Sequence, residues 1–186
     1  MASKPTTTVP ALNTGKSKFA ALLAAMVAVA TPIYVGWEGS ENKAYRDIVG
    51  VLTICSGDTR NVRPGQVATD AECNDRTAAI MEEYGTDVYK LSPGIENYRY
   101  MWASYTIFTA NVGVGAYGKS SIRRLYNAGE YRAACRYMMN YKYAGGKVVQ
   151  GLINRRNGTT DRIGEYELCL VDAIPLELGH VQRPNV

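Results

Sequence analysis

Residues 19–37 (FAALLAAMVAVATPIYVGW) carry no charged side chain and run straight into Glu38 with no spacer. A run of that length is about what one bilayer crossing requires. Lys4, Lys16 and Lys18 precede it, with no Asp or Glu among residues 1–18. That polarity holds an N-terminus in the cytoplasm and sends the remainder outside. The segment is only weakly apolar, mostly Ala with a few Leu, Val and Met, and it contains Thr31, Pro32 and Gly36. The membrane state is therefore modestly favoured at best. Three fates follow: cleavage as a secretory signal after Ala28-Val29-Ala30, a permanent anchor, or a releasable anchor. A buried core helix is the plain alternative. Export is common to the first three.

The remaining bulk properties mainly exclude. A chain of 186 residues with 46% hydrophobic content buries a sizeable core. Its formal charge of +4 leans mildly toward an anionic partner. No run of five like charges occurs, so a nucleic-acid partner is not expected. The one histidine, His180, sits in a Pro-containing tail, which leaves a Ser-His-Asp triad, a Cys-His pair or a His-based zinc site without support. Cys55, Cys73, Cys135 and Cys169 are scattered with no CxxC spacing, so neither a metal nor a redox motif is expected.

The chemistry concentrates in residues 37–59 (WEGSENKAYRDIVGVLTICSGDT). Glu38 follows Trp37 and the apolar run; a carboxyl against such surface loses hydration in its charged form, which suits a general acid. Asp47 ends a strand-like Ala44-Tyr45-Arg46 run, and residues 51–54, apolar and β-branched, read as a second strand. A hairpin turning near Val49-Gly50 brings Asp47 and Thr53 together. Two carboxylates in different environments are what glycosidic hydrolysis needs. The bland readings are a solvated helix end for Glu38 and turn chemistry for Asp47.

The pattern Glu38, Asp47, Thr53, with YRDIVGVLTICSGDT around the last two, resembles the phage-type lysozymes of glycoside hydrolase family 24. The likeness continues through VATDAEC (67–73), NVGVGAYGKSSIRRLYNAGEYRAAC (111–135) and YAGGKVVQGLINRR (143–156). With its weak N-terminal anchor, the chain is most similar to the signal-anchor-release endolysins that phages of Gram-negative hosts export. The resemblance implies a metal-free, cofactor-free α+β fold with a helical body and a small β lobe lining the cleft. It implies Glu38 as general acid, Asp47 holding the attacking water, and the Thr53 hydroxyl assisting. Asn111, Gly113, Gly115 and Tyr117 would form the facing, substrate-binding cleft wall, where glycines let backbone approach a ligand; a plain helix–helix turn is the alternative. Two departures stand out. The family usually has His where this chain has Asp58, so a buried ion pair made by that His is expected to be missing. Residues 157–160 intervene after Arg155-Arg156 as a short loop insertion.

Thr69-Asp70-Ala71-Glu72 predicts a capping box opening a helix to about Tyr89. Residues 98–110 predict a central aromatic core helix, and later helices are expected near 119–126, 130–137, 147–154 and 161–171. In an oxidising periplasm the four cysteines allow three pairings; Cys55 with Cys73 and Cys135 with Cys169, one staple per lobe, is the preferred one.

The expected organisation is a basic cytoplasmic arm (1–18), a releasable anchor (19–37), a catalytic domain (38–172) and a tail without pattern (173–186). The expected activity is hydrolysis of the β-1,4 bond between N-acetylmuramic acid and N-acetylglucosamine by a monomer. Its partners would be peptidoglycan, the host inner membrane through residues 19–37, and the host secretion machinery. A lytic transglycosylase on the same bond, or an inactive wall-binding module, are the alternatives.

Overall fold

The computed structural model describes residues 14–47 and 49–179. Most of the basic arm, including Lys4, the end of the tail, and His180 lie outside the described residues. The chain is α+β. Helix α1 (Thr14–Glu38) is followed by a hairpin of β1 (Glu41–Arg46) and β2 (Leu52–Cys55), then α2 (Asp70–Leu91) and α3 (Arg99–Val112). Four shorter segments follow, α4 (Val114–Gly118), α5 (Ser121–Asn127), α6 (Tyr131–Tyr137) and α7 (Gln150–Asn157), and α8 (Glu165–Glu177) closes the fold.

Helix α3 is the axis of the body. Nine consecutive residues, from Met101 to Thr109, are buried. An all-round apolar helix must be surrounded, and α1, α2 and α8 surround it. Two of its polar side chains bond backbone, Trp102 Nε1 donating to the Gly85 carbonyl (2.9 Å) and Thr106 Oγ1 to the Trp102 carbonyl (2.8 Å), while among the described residues the buried Tyr105 and Thr109 hydroxyls find no partner. Its first turn is capped from a distance. Asp172 Oδ2 on α8 accepts the Tyr100 and Met101 amides at 2.8 and 2.9 Å, two of the donors a helix start leaves unpaired.

Helix α1 is long and apolar enough to cross a membrane, yet here it lies on the body. Leu23, Met26, Ala30 and Tyr34 are buried, a stripe at helical spacing that lands on α2 and α3. Burying Leu23 and Met26 contributes about 1.5–3 kcal/mol each. Met26 fits only because α2 presents Gly85 there: a Cβ on Gly85 would sit 2.2 Å from Met26 Cε.

The capping box is present, with Thr69 and Glu72 bonded reciprocally at the start of α2. The disulfides pair Cys55 with Cys73 and Cys135 with Cys169. The first ties the hairpin to α2; the second ties α6 to α8.

Three details differ from expectation. Residues 143–148, read as a break followed by a helix, form a second hairpin, β3 (Tyr143–Ala144) with β4 (Lys147–Val148). Gly145 and Gly146 supply the paired positive φ values of its turn, +56° and +75°. Helix α8 starts later than 161 and continues through Pro175 to Glu177, so residues 173–177 belong to the body rather than to a loose tail. The N–H that Pro175 lacks would have bonded the carbonyl of half-exposed Val171, which water can reach.

Candidate active site

Glu38 is the last residue of α1. Gly39 turns the chain left-handed (φ +76°) and donates its amide to the Val35 carbonyl at 2.8 Å, ending the helix there. The Glu38 side chain is 35% exposed, and its neighbour is a guanidinium rather than the apolar wall expected: Arg155 Nη1 donates to Oε1 at 2.5 Å. Arg155 is itself almost fully buried. Its Nε donates to Glu165 Oε1 (2.9 Å) and its guanidinium lies 5.6 Å over the Tyr34 ring.

Glu165, the first residue of α8, is fully buried and also accepts from Arg156 Nη1. Arg156 continues the chain of contacts, with Nη2 on Asn111 Oδ1 (2.5 Å) and Nε on the Tyr141 carbonyl (3.2 Å). Four helix termini therefore meet in one network of two arginines and two glutamates, formally neutral. Burial pushes the Glu165 carboxyl up, against the pull of both guanidiniums. Removing one partner of such a buried network leaves an uncompensated charge.

Asp47 sits where β1 ends. Its Oδ1 accepts the Val49 amide at 3.0 Å and the Val51 amide at 2.8 Å, while its own amide bonds the Val51 carbonyl at 2.9 Å. The turn chemistry proposed as the bland reading is thus real, and it fixes the carboxylate's orientation. Among the described residues no donor reaches Oδ2. Tyr45 pairs with Thr53 and Asp47 faces Val51, so Asp47 and Thr53 are diagonal neighbours on one face of the hairpin. Such neighbours have Cβ atoms about 7–8 Å apart or less. Thr53 is buried, and its hydroxyl donates to the Val51 carbonyl at 3.1 Å. A register shift between Glu41 and Tyr45 bends β1.

The far end of the hairpin returns to α1. Ser56, buried, donates its hydroxyl to the Gly39 carbonyl at 2.8 Å, one residue past Glu38. Cys55 adopts φ +56° to make this turn and is held by its disulfide.

Asp58, where loss of an ion pair was expected, makes one of opposite polarity. Arg60 Nε (2.9 Å) and Arg76 Nη1 (2.8 Å) both donate to its buried carboxylate. Burial pushes this carboxyl up, but the donors on Arg60 and Arg76 outweigh it and hold Asp58 below the usual carboxylate range. Through Arg76 the pair ties this segment to α2.

The facing segment divides. Gly113 caps α3 at φ +88°, a conformation that favours glycine, and exposed Gly115 has open space beside it. Asn111 is drawn into the arginine network. Tyr117 is corrected: it is fully buried, its ring 5.8 Å from Tyr105 and its hydroxyl 2.6 Å from Ser92 Oγ. It is a core residue and cannot line the cleft. Sequence reading also missed Glu165. A single Glu at a helix start carries no local signal, and its partners lie nine and ten residues earlier, across a loop.

The phage lysozyme family model matches residues 35–159. The SAR-endolysin of Bacteriophage PS119 is 35% identical over 164 residues, covering 82% of this chain and 93% of that protein. The SAR-endolysin of Enterobacteria phage P21 is 35% identical over 141 residues, covering 73% and 78%. Among solved structures, a mutant P22 lysozyme superposes with TM-score 0.67 at 22% identity, covering 77% of this chain and 96% of that one. The active form of the P1 phage endolysin Lyz gives 0.65 at 20% identity, covering 82% and 93%. These last two establish likeness of fold.

Proposed function

The chain belongs to the phage lysozyme family, and on that premise we propose that it is a muramidase cutting the β-1,4 bond between N-acetylmuramic acid and N-acetylglucosamine in peptidoglycan. Glu38 protonates the departing glycosidic oxygen. Asp47 holds and activates a water on the opposite face of the sugar, and the Thr53 hydroxyl helps to orient it. The observation that carries this reading is the contrast between the two carboxylates. Glu38 is steered by a side chain, Arg155, from the helical body. Asp47 is locked by backbone amides through one oxygen, and the other takes no hydrogen bond among the described residues. Two acids held by different means suit two different roles.

Export and control follow from α1. The secretion machinery of the host delivers the body to the periplasm while residues 19–37 stay in the inner membrane. In that state Glu38 is pinned at the bilayer surface, away from Arg155. Release lets α1 lie on α2 and α3 as it does here, and the chain then acts as a periplasmic monomer. The SAR-endolysin relatives support this order of events. Collapse of the membrane potential is the natural trigger.

One clearing assay tests both parts. Outer-membrane-permeabilised Gram-negative cells expressing the chain should clear. Glu38→Gln should slow clearing by at least about 100-fold, and a variant with Leu at the exposed positions Ala20, Ala24 and Ala28 should stay membrane-bound and silent. Normal clearing by Glu38→Gln would remove Glu38 as the acid; normal lysis by the Leu variant would remove the release model.

A further inference from the structure

The loop between α7 and α8 touches α1 at a second place, just before Glu38. Its base is closed tightly. Gly158 (φ +86°) donates to the Asn154 carbonyl at 2.7 Å, and a Cβ on Gly164 would lie 2.2 Å from the Gly158 amide nitrogen. The Thr159 amide bonds the Arg162 carbonyl at 2.8 Å, folding the tip back on itself. From that tip, Arg162 Nη1 donates to the Gly36 carbonyl at 3.0 Å, and its guanidinium lies 4.8 Å over the Trp37 ring. Trp37 Nε1 in turn donates to the Ile163 carbonyl at 3.0 Å. The Gly36 carbonyl belongs to the last turn of α1, where no amide of the same helix follows to bond it. A cation there also complements the helix dipole.

We propose that Arg162 and Ile163 are positioning residues for Glu38. The loop acts as a clasp that fixes the rotation and seat of the last turn of α1, so that the Glu38 carboxylate reaches Arg155. The same short segment holds Glu38 from two sides. Its base carries Arg155, Arg156 and Glu165, and its tip carries Arg162 and Ile163. Trp37 forms its half of the clasp only when α1 lies on the body, so the loop between α7 and α8 completes the site in the released form. This inference rests on Glu38 being the acid.

The test uses the full chain in its released form, assayed on soluble un-cross-linked peptidoglycan. Of the two tryptophans, Trp102 is fully buried, so iodide quenching of fluorescence reads Trp37. Arg162→Ala should lower kcat about tenfold, as small misplacements of a catalytic group do, with KM within twofold. Quenching of Trp37 should at least double. Arg162→Lys, which keeps a cation and a donor, should recover most of both, and Thr160→Ala in the same loop should change neither. The proposal is overturned if Arg162→Ala keeps kcat within twofold, whether or not quenching rises. It is equally overturned if kcat falls while quenching is unchanged, or if Lys restores neither. An inactive parent chain would sink the muramidase reading and this inference with it, while the quenching comparison would still show whether the clasp forms.

Discussion

The hairpin lobe and the helical body are held together by different means, and the proposed catalytic groups are divided between them. The body buries a full apolar core around α3. Among the described residues the hairpin lobe has an apolar core of four, Ile54, Cys55, Ala68 and Cys73, two of which are the disulfide itself. A two-stranded hairpin is marginal in water by itself. This one is tied to α2 by the Cys55–Cys73 bond and by Asp58 on Arg76. Asp47 and Thr53 therefore sit on a stapled element, and Glu38 on a packed one. Treatments that leave packing alone should silence the first without moving the second.

The largest effect comes from deleting each disulfide by paired Cys→Ala substitution. Loop closure over 18 residues (Cys55–Cys73) and 34 residues (Cys135–Cys169) predicts about 3 and about 4 kcal/mol respectively. Similar energies should give different symptoms. Without Cys55–Cys73, clearing activity should vanish while far-UV dichroism keeps the helical signal. Without Cys135–Cys169, activity should persist at low temperature and the midpoint of global unfolding should drop. The contrast between regions breaks if both variants lose helix and activity together.

A smaller effect sharpens the same contrast. Asp58→Asn should cost about 2 kcal/mol at pH 7, reduced from the fully buried case because Arg60 and Arg76 are partly exposed. Asp58 binds its proton more weakly folded than unfolded. Its stabilisation is therefore present above the unfolded carboxylate pKa, near 4, and lost as pH falls through the lower folded value. Urea denaturation from pH 7 down to pH 3 should show the two proteins converging at acid. A constant gap would mean that the ion pair is not its source. Smallest of all, Gly85→Ala should cost about 1–2 kcal/mol, because Met26 must move from the notch it fills. Its loss should appear in the thermal midpoint of the body with the hairpin lobe unaffected.

The sequence was legible where a local rule determines the outcome. The Thr69–Glu72 box, the hairpin turning at Gly50, and the aromatic spacing of α3 each need only neighbours in the chain. It was opaque where distant charges meet. Of the two partners of Asp58, Arg60 lies two residues on and was open to local reading, whereas Arg76 is 18 residues away on another element, and Glu165 gave no sign of bridging Arg155 and Arg156. Tyr117 was misread because a Gly-rich stretch suggests openness, while burial depends on what α2 and α3 bring to it. In α1 the buried stripe was hidden, since a helix apolar on every side shows no preferred face.

Helix α1 flows into Glu38 with no linker, and each residue of an α-helix advances the chain by about 1.5 Å and turns it by about 100°. Between Met26, seated over Gly85, and Glu38, facing Arg155, the segment therefore keeps phase as well as hydropathy. A one-residue insertion there would leave a serviceable membrane span and aim the carboxylate into solvent. An insertion just upstream of Leu23 would leave Glu38 where it is and turn Phe19 off Tyr89 and Trp102 instead, so it would cost packing and spare the site. Within a single apolar stretch, one part answers to packing alone and the other is also metrically tied to the site.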